Sequence, residues 1–264
     1  MNERIIAEAK VPAEGQLIQL ANDDNGWRWY ENSISKTRYI SVTTPLECVQ
    51  PQKLTDWYKK STESNINKKL ETSRERGNRL HSMVESWAKG IDVGFDPTPE
   101  EQEEFKKFIE FAVRHELSPE KSEYRVRSLV LGVAGTVDLI THFKSCDNKE
   151  CCITRVEGRV VADLKTGRTY SVKAGWQMAG YRTALSEMGW DTVGMVGIQL
   201  YGNVKPFVYS HYEFCLQRYV SALESWKGLY YSKLSKLNWP WLHEYSPCLL
   251  FEEKVPEYSE DVLH

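Results

Sequence analysis

The chain has 264 residues, 41% hydrophobic and 27% charged, with a formal net charge of −3. That length can bury a sizeable core without staples, and those proportions exclude a disordered or fibrous chain. Its six cysteines (Cys48, Cys146, Cys151, Cys152, Cys215 and Cys248) contain no C-x-x-C pair, which points to free thiols in a reducing compartment rather than a disulfide framework.

The segment Met1–Lys10 carries acids and no apolar core, and no apolar run is long enough for a membrane span. A cytoplasmic protein, of a cell or a virus-infected host, is therefore expected. Residues 16–42 read as short strands around a turn at Asp23-Asp24-Asn25-Gly26, and Tyr39–Thr43 as a further strand ending before Pro45. Residues 1–60 form a strand-rich extension, 61–240 the core and 241–264 an acidic tail. From Ser64 to Lys89, apolar residues Ile66, Leu70, Leu80, Val84 and Trp87 recur with Gly77 at helical spacing. A second helix opens at Thr98-Pro99-Glu100-Glu101, where a cap, a first-turn proline and a capping-box glutamate coincide. Strands are predicted at 123–130, 133–143 and 155–165. A helix follows at 172–188, with Ser171 as cap and Gly189 as stop, then strands at 192–201 and 206–212 and a helix at 213–237. This order predicts an α/β fold with a mixed central sheet flanked by helices.

Charge is unevenly spread. Lys53–Lys89 holds nine Lys/Arg against five Asp/Glu, a local net of +4; Gln217–Trp241 has a net of +3 and Phe251–His264 a net of −4. Basic segments and an acidic tail can conceal a phosphate-binding face within a neutral total, although solvated helix faces give the same counts. Arg74, Arg76 and Arg79 lie near His81 in sequence. In the last predicted helix and beyond, Lys227, Lys233 and Lys236 alternate with Trp226, Tyr230, Tyr231, Trp239, Trp241 and Tyr245, a pattern that serves single-stranded nucleic acid or simply an amphipathic helix with an aromatic core.

The chemistry concentrates in Gly132-Val-Ala-Gly-Thr-Val-Asp138-Leu-Ile and Val160-Val-Ala-Asp163-Leu-Lys165-Thr166-Gly. Asp163 and Lys165 are two apart on a strand and share a face. If the strands are neighbours, Asp138 converges on Asp163, and two such carboxylates repel unless a cation lies between them. Oxygen ligands favour Mg²⁺ or Mn²⁺. A lysine beside that ion can position a water or offset charge on a scissile phosphate. Gln177 and Tyr181, four apart on the following helix, share a face, as do Gly77, His81 and Glu85 on the first. A structural salt bridge at a strand end is the plainer reading of Asp163 and Lys165 taken alone. Neither a nucleophile-elbow serine, a zinc-protease helix nor a Walker loop is present.

Taken in order, G-x-x-x-H, G-T-V-D, D-L-K-T-G and Q-x-x-x-Y resemble the PD-(D/E)xK nuclease superfamily, in its RecB-like exonuclease branch. Ser41–Leu46, Leu54–Trp57 and Arg76–His81 resemble the entry region of the mitochondrial genome-maintenance and related phage exonucleases. The resemblance spans roughly Tyr39 to Tyr181. It implies a restriction-endonuclease-like fold and a divalent-metal-dependent DNA exonuclease acting in recombination, repair or replication, with DNA ends or single strands and proteins of such systems as partners. His81, Asp138, Asp163 and the main-chain carbonyl of Leu164 would hold the metal, and Lys165, Gln177 and Tyr181 would complete the catalytic set. Glu85 and Glu123 would be accessory carboxylates, with Arg74, Arg76, Arg79, Thr166 and Lys227 touching nucleic acid. A structure-specific endonuclease, or an inactive nucleic-acid-binding protein, are the alternatives. Asp163 stands where glutamate is commoner in that superfamily. Cys48 and Cys248 do not meet the four-cysteine iron–sulfur pattern of some relatives, so no cluster is expected, and the insertion Lys144–Thr154 has poor spacing for zinc at Cys146, Cys151 and Cys152.

Overall fold

Thr98 begins the second helix as its sequence requires. Its hydroxyl accepts from the Glu101 amide, and the Glu101 carboxylate accepts from the Thr98 amide in return. The fold is seen in a computed structural model that describes residues 15–49, 63–148, 151–152, 154–167, 172–200, 202 and 204–234, with the side chains of 63–70 and 231–233 left aside. The expected cap Ser171, the Leu54–Trp57 motif and the acidic tail lie outside the described residues.

Eight strands form one sheet: β1 (Leu17–Gln19), β2 (Trp29–Asn32), β3 (Arg38–Ser41), β4 (Ser118–Ser128), β5 (Val133–Lys144), β6 (Glu157–Lys165), β7 (Gly194–Gln199) and β8 (Lys205–Val208). Among the described residues the helices are α1 (Glu63–Lys89), α2 (Pro99–Arg114), α3 (Val172–Glu187) and α4 (Tyr212–Leu234), and a 3₁₀ turn occupies Thr44–Cys48. The sheet is mixed: β3 runs parallel to β5 and β6 to β7, while β4–β5, β5–β6 and β7–β8 are antiparallel. The N-terminal strands join this same sheet through the β3–β5 pairing. Strand β4 begins five residues earlier than its sequence predicts, and it crosses β5 along nearly its whole length.

One apolar layer packs on each face. Met178, Ala184, Tyr219 and Trp226 of α3 and α4 cover Val133, Val137, Ile140 and Val161. Leu80 and Val84 of α1, with Phe108 and Phe111 of α2, cover Leu139, Phe143, Val160 and Ala162. Trp226 and Tyr230 stack edge-on against Trp27, at 4.9 and 4.7 Å between centroids. These aromatics of the basic last helix therefore fix α4 to the N-terminal turn. That turn is closed by Asp23, whose carboxylate accepts from the Asn25 and Trp27 amides and the Trp29 indole. Among the described residues, no helix is long and apolar enough to cross a membrane.

Two features of β5 set up the site. Its far edge pairs with β3 only at Val133 and Ala134 and with β6 only from Leu139 onward, so the strand passes between partners across residues 135–138. The facing also resets there. Val137 packs under α3 and α4, yet Leu139, of the same parity, packs under α1 and α2. Opposite this point, β4 carries Glu123 at φ +47°, between the paired residues Ser122 and Tyr124. A non-glycine residue in the left-handed region costs on the order of 1–3 kcal/mol and persists where its surroundings over-determine it.

Candidate active site

Asp138 sits in that gap, one step before the Leu139–Ala162 pair, which sets it against Asp163. Its Oδ2 accepts from the Leu164 amide at 2.6 Å, and its Oδ1 lies 3.8 Å from His81 Nδ1 on α1. His81, Glu123 and Asp138 can bring one ligand atom each within 4.8 Å of one another. Four sheet strands (β1, β4, β5 and β6) and both helical layers contribute to a cleft of about 680 Å³.

Asp163 and Lys165 share a face of β6, as strand alternation requires. Lys165 Nζ lies 2.6 Å from Asp163 Oδ2, and the Asp163 side chain is almost wholly buried. The Gln177 amide joins the pair: its Nε2 donates to Asp163 Oδ1 at 3.1 Å and its Oε1 accepts from Lys165 at 3.4 Å. The same Nε2 donates to the Tyr181 hydroxyl at 3.4 Å. Gly135 makes room for that ring, since a Cβ there would fall 2.5 Å from Tyr181 Cε1. Gly77 does the same for the loop after β6, where Thr166 Oγ1 would lie 3.1 Å from an added Cβ.

Electrostatics separate the roles. Burial, then the neighbouring Asp163 charge, push the Asp138 carboxyl up to about 8, against the Leu164 amide and Lys165, which pull it down. Burial, then Asp138, raise Glu123 to about 7. Burial acts most strongly on Lys165 and works against its charge, but Asp163 and Asp138 outweigh it, and the ammonium is held above its usual range. The His81 pKa is lowered, chiefly by burial, against the pull of Asp163 and Glu123; its ring also faces the Leu164 carbonyl. The imidazole is therefore neutral near pH 7 and fit to be a ligand. Burial raises the Tyr181 phenol well above its usual value, so it remains a neutral hydroxyl.

A divalent cation fits this donor set. Glu123 and Asp138 cannot both ionise cheaply without a positive charge between them. Ligands about 2.1 Å from a small hard ion stand up to about 4.2 Å apart across it, so the present spacing needs only small side-chain adjustments. Two carboxylates with one imidazole suit Mn²⁺ or Mg²⁺. In the cleft, His81, Glu123 and Asp138 group within 4.8 Å of one another and Asp163 is not among them, so Glu123, expected as accessory, stands with the ligands, while Lys165 and Gln177 engage Asp163.

The other expected residues divide. Arg74, Glu85, Leu164 and Thr166 line the cleft, Glu85 while paired with Lys89. Arg76 pairs with Glu104 and also donates to the Thr166 carbonyl at 3.5 Å. Arg79 forks onto Glu101, donates to the Asp96 carbonyl and covers the Phe95 ring, so it ties α1 to the start of α2. Lys227 pairs with Glu224 on α4 and lies apart from the cleft lining. Gln19, Arg28 and Thr136 also line the cleft and were not expected there. Arg28 stands between two tryptophans in sequence and carries no local signal. The chain matches no protein-family profile, and no curated protein is significantly similar to it.

Proposed function

We propose that this chain is a divalent-metal-dependent deoxyribonuclease of the PD-(D/E)xK kind, in the RecB-like exonuclease branch, with a restriction-endonuclease-like core. The reading is carried by one observation: a part-buried Asp138 grouped with His81 and Glu123, beside an Asp163–Lys165 pair that Gln177 holds. A structural ion pair alone leaves unexplained why three further ionisable groups converge on it in an open cleft.

In this reading His81, Glu123 and Asp138 hold the cation, with Asp163 and the Leu164 carbonyl alongside. Once bound, the metal supplies Lewis acidity toward a phosphoryl oxygen and acidifies a coordinated water. The chain's own residues do the rest. Lys165 stays protonated and stabilises charge developing on the phosphate. Gln177 keeps the Lys165 ammonium and the Asp163 carboxylate in register. Arg28 and Arg74, which both line the cleft, hold flanking phosphates. DNA with a free end is the expected substrate.

End-labelled linear and covalently closed circular DNA, incubated with Mg²⁺, Mn²⁺ or chelator, test this. Metal-dependent loss of linear DNA only is expected; cutting of both would make the enzyme an endonuclease on the same chemistry. Lys165→Met should lower the rate by roughly 10²–10⁴-fold while the variant keeps its folded circular-dichroism spectrum at the assay temperature. Wild-type protein that binds DNA yet leaves every substrate intact in either metal would overturn the proposal.

A further inference from the structure

The far end of the β5–β6 hairpin carries a second cluster. Eight residues beyond Asp138, a strand span of about 26 Å, lies Cys146; Cys151 and Cys152 follow in the loop that returns to β6. His115, the residue that caps the C-terminus of α2, meets them there. Each of the four offers a ligand atom within 4.8 Å of all the others.

We propose that His115, Cys146, Cys151 and Cys152 form a structural zinc site that clamps the β5–β6 hairpin to the end of α2. Zinc with bonds of about 2.3 Å to sulfur sets tetrahedral edges of about 3.8 Å. The Cys146 and Cys152 sulfurs are 3.6 Å apart, and Cys151 Sγ is 3.6 Å from His115 Nε2. Those two pairs form opposite edges of one tetrahedron. The imidazole is set for the role: its Nδ1 lies 2.9 Å from the Lys144 carbonyl, which can only accept. Nδ1 must then carry the proton, leaving the Nε2 lone pair facing Cys151. This carbonyl-held histidine is the usual support of a metal ligand. The ring is fully buried, stacked on Phe143 at 4.9 Å and tilted against Phe111, so its direction is fixed before any metal arrives. Three sulfurs and one imidazole form a soft, closed donor set that favours Zn²⁺ over the hard ions suited to the carboxylate cleft. Binding displaces up to three thiol protons.

Sequence spacing hides the site because its fourth ligand lies 31 residues upstream of Cys146, on a different element. The clamp also bears on the cleft. Helix α2 carries Glu101 and Glu104, which hold Arg79 and Arg76 of α1, the helix that supplies His81.

The test is the metal content of the full chain, expressed with zinc available and purified without chelator. About one zinc per chain is expected, with Cys146→Ser and Cys151→Ser each lowering it at least tenfold and Asp138→Asn leaving it unchanged. Cobalt in place of zinc should give the sulfur-to-metal charge-transfer bands and strong visible bands of a tetrahedral thiolate site. If the cysteine variants fail to fold, wild-type stoichiometry and the cobalt spectrum decide. A zinc-free wild-type chain, a Cys146–Cys152 disulfide found by mass spectrometry, or zinc that is lost with Asp138→Asn and kept with Cys146→Ser would each overturn the proposal.

Discussion

At Asp138 the same physics that makes a metal ligand makes an unstable side chain. Burial and the Asp163 charge raise its carboxyl to about 8, so ionising it in the folded chain costs free energy that the unfolded chain does not lose. An asparagine keeps an oxygen for the Leu164 amide and sheds the charge. Metal-free Asp138→Asn should therefore melt above wild type at pH 8, by on the order of a few kcal/mol, and match it below about pH 4. It should also lose the stabilisation that Mn²⁺ gives wild type. Thermal denaturation at the two pH values checks both statements, and a variant less stable than wild type at pH 8 would count against a strained carboxylate. Asp163 and Lys165 were readable in the sequence because polar residues closing an apolar strand stand out and strand alternation puts both on one face, and Asp138 because a lone acid inside an apolar run stands out, although it lies at the middle of β5 rather than at its end. Glu123 was less readable. Nothing in Ser122-Glu123-Tyr124 announces a left-handed backbone, yet φ +47° stands opposite Asp138.

At the scale of elements, two glycines set how closely helices approach the sheet, and they predict opposite outcomes. Gly135→Ala would drive a Cβ to 2.5 Å from the Tyr181 ring, which is buried and shares the Gln177 amide. Overpacking of this kind should cost about 1–3 kcal/mol and lower cleavage with it. Gly77→Ala meets only Thr166 Oγ1, at 3.1 Å, on a side chain that can give way. Replacing glycine inside α1 gains up to about 1 kcal/mol of helix propensity, so this variant should be as stable as wild type or more so. Its cleavage should still fall, because Thr166 must shift at the cleft wall. Melting temperatures together with kcat/KM distinguish the two; equal behaviour would mean that neither contact shapes the site. The start of helix α2 was legible to the residue, since a capping box is a local device. The reset of β5 at Asp138 was not, because Val137-Asp138-Leu139 alternates in sequence and only the change of partner from β3 to β6 turns it. Helix geometry alone distinguishes Arg79 from Arg74. Positions two apart on a helix point to different faces, which takes Arg79 away from His81, whereas Arg74, Gly77 and His81 follow the three–four spacing of one stripe.

For the whole molecule, part of the local charge of +4 counted over Lys53–Lys89 is met by acids from outside that segment. Arg76 and Arg79 meet Glu104 and Glu101 of α2, pairings that counts along a chain cannot foresee. The pH response of the fold follows instead from a few carboxyls shifted in opposite directions. The hydrogen bond from Arg79 lowers Glu101 to about 2, so its contribution is present above the usual glutamate value and is lost only as pH falls toward 2. Glu123 at about 7 and Asp138 at about 8 act the other way. Their penalty is absent below the unfolded carboxylate range near pH 4, grows as pH rises and is complete once both have ionised. Without metal, the contribution of these groups to stability should thus be greatest on the acid side of neutrality and decline toward pH 8. A divalent ion reverses the slope, because it binds the ionised forms and competes with their protons. The rise in melting temperature on adding Mn²⁺ should accordingly be larger at pH 8 than at pH 5.5, in wild type and in Cys146→Ser alike, and absent in Asp138→Asn. Equal shifts at both pH values would mean that the added ion does not sit on the Glu123–Asp138 pair, and the cleft would lose its claim to be a metal centre.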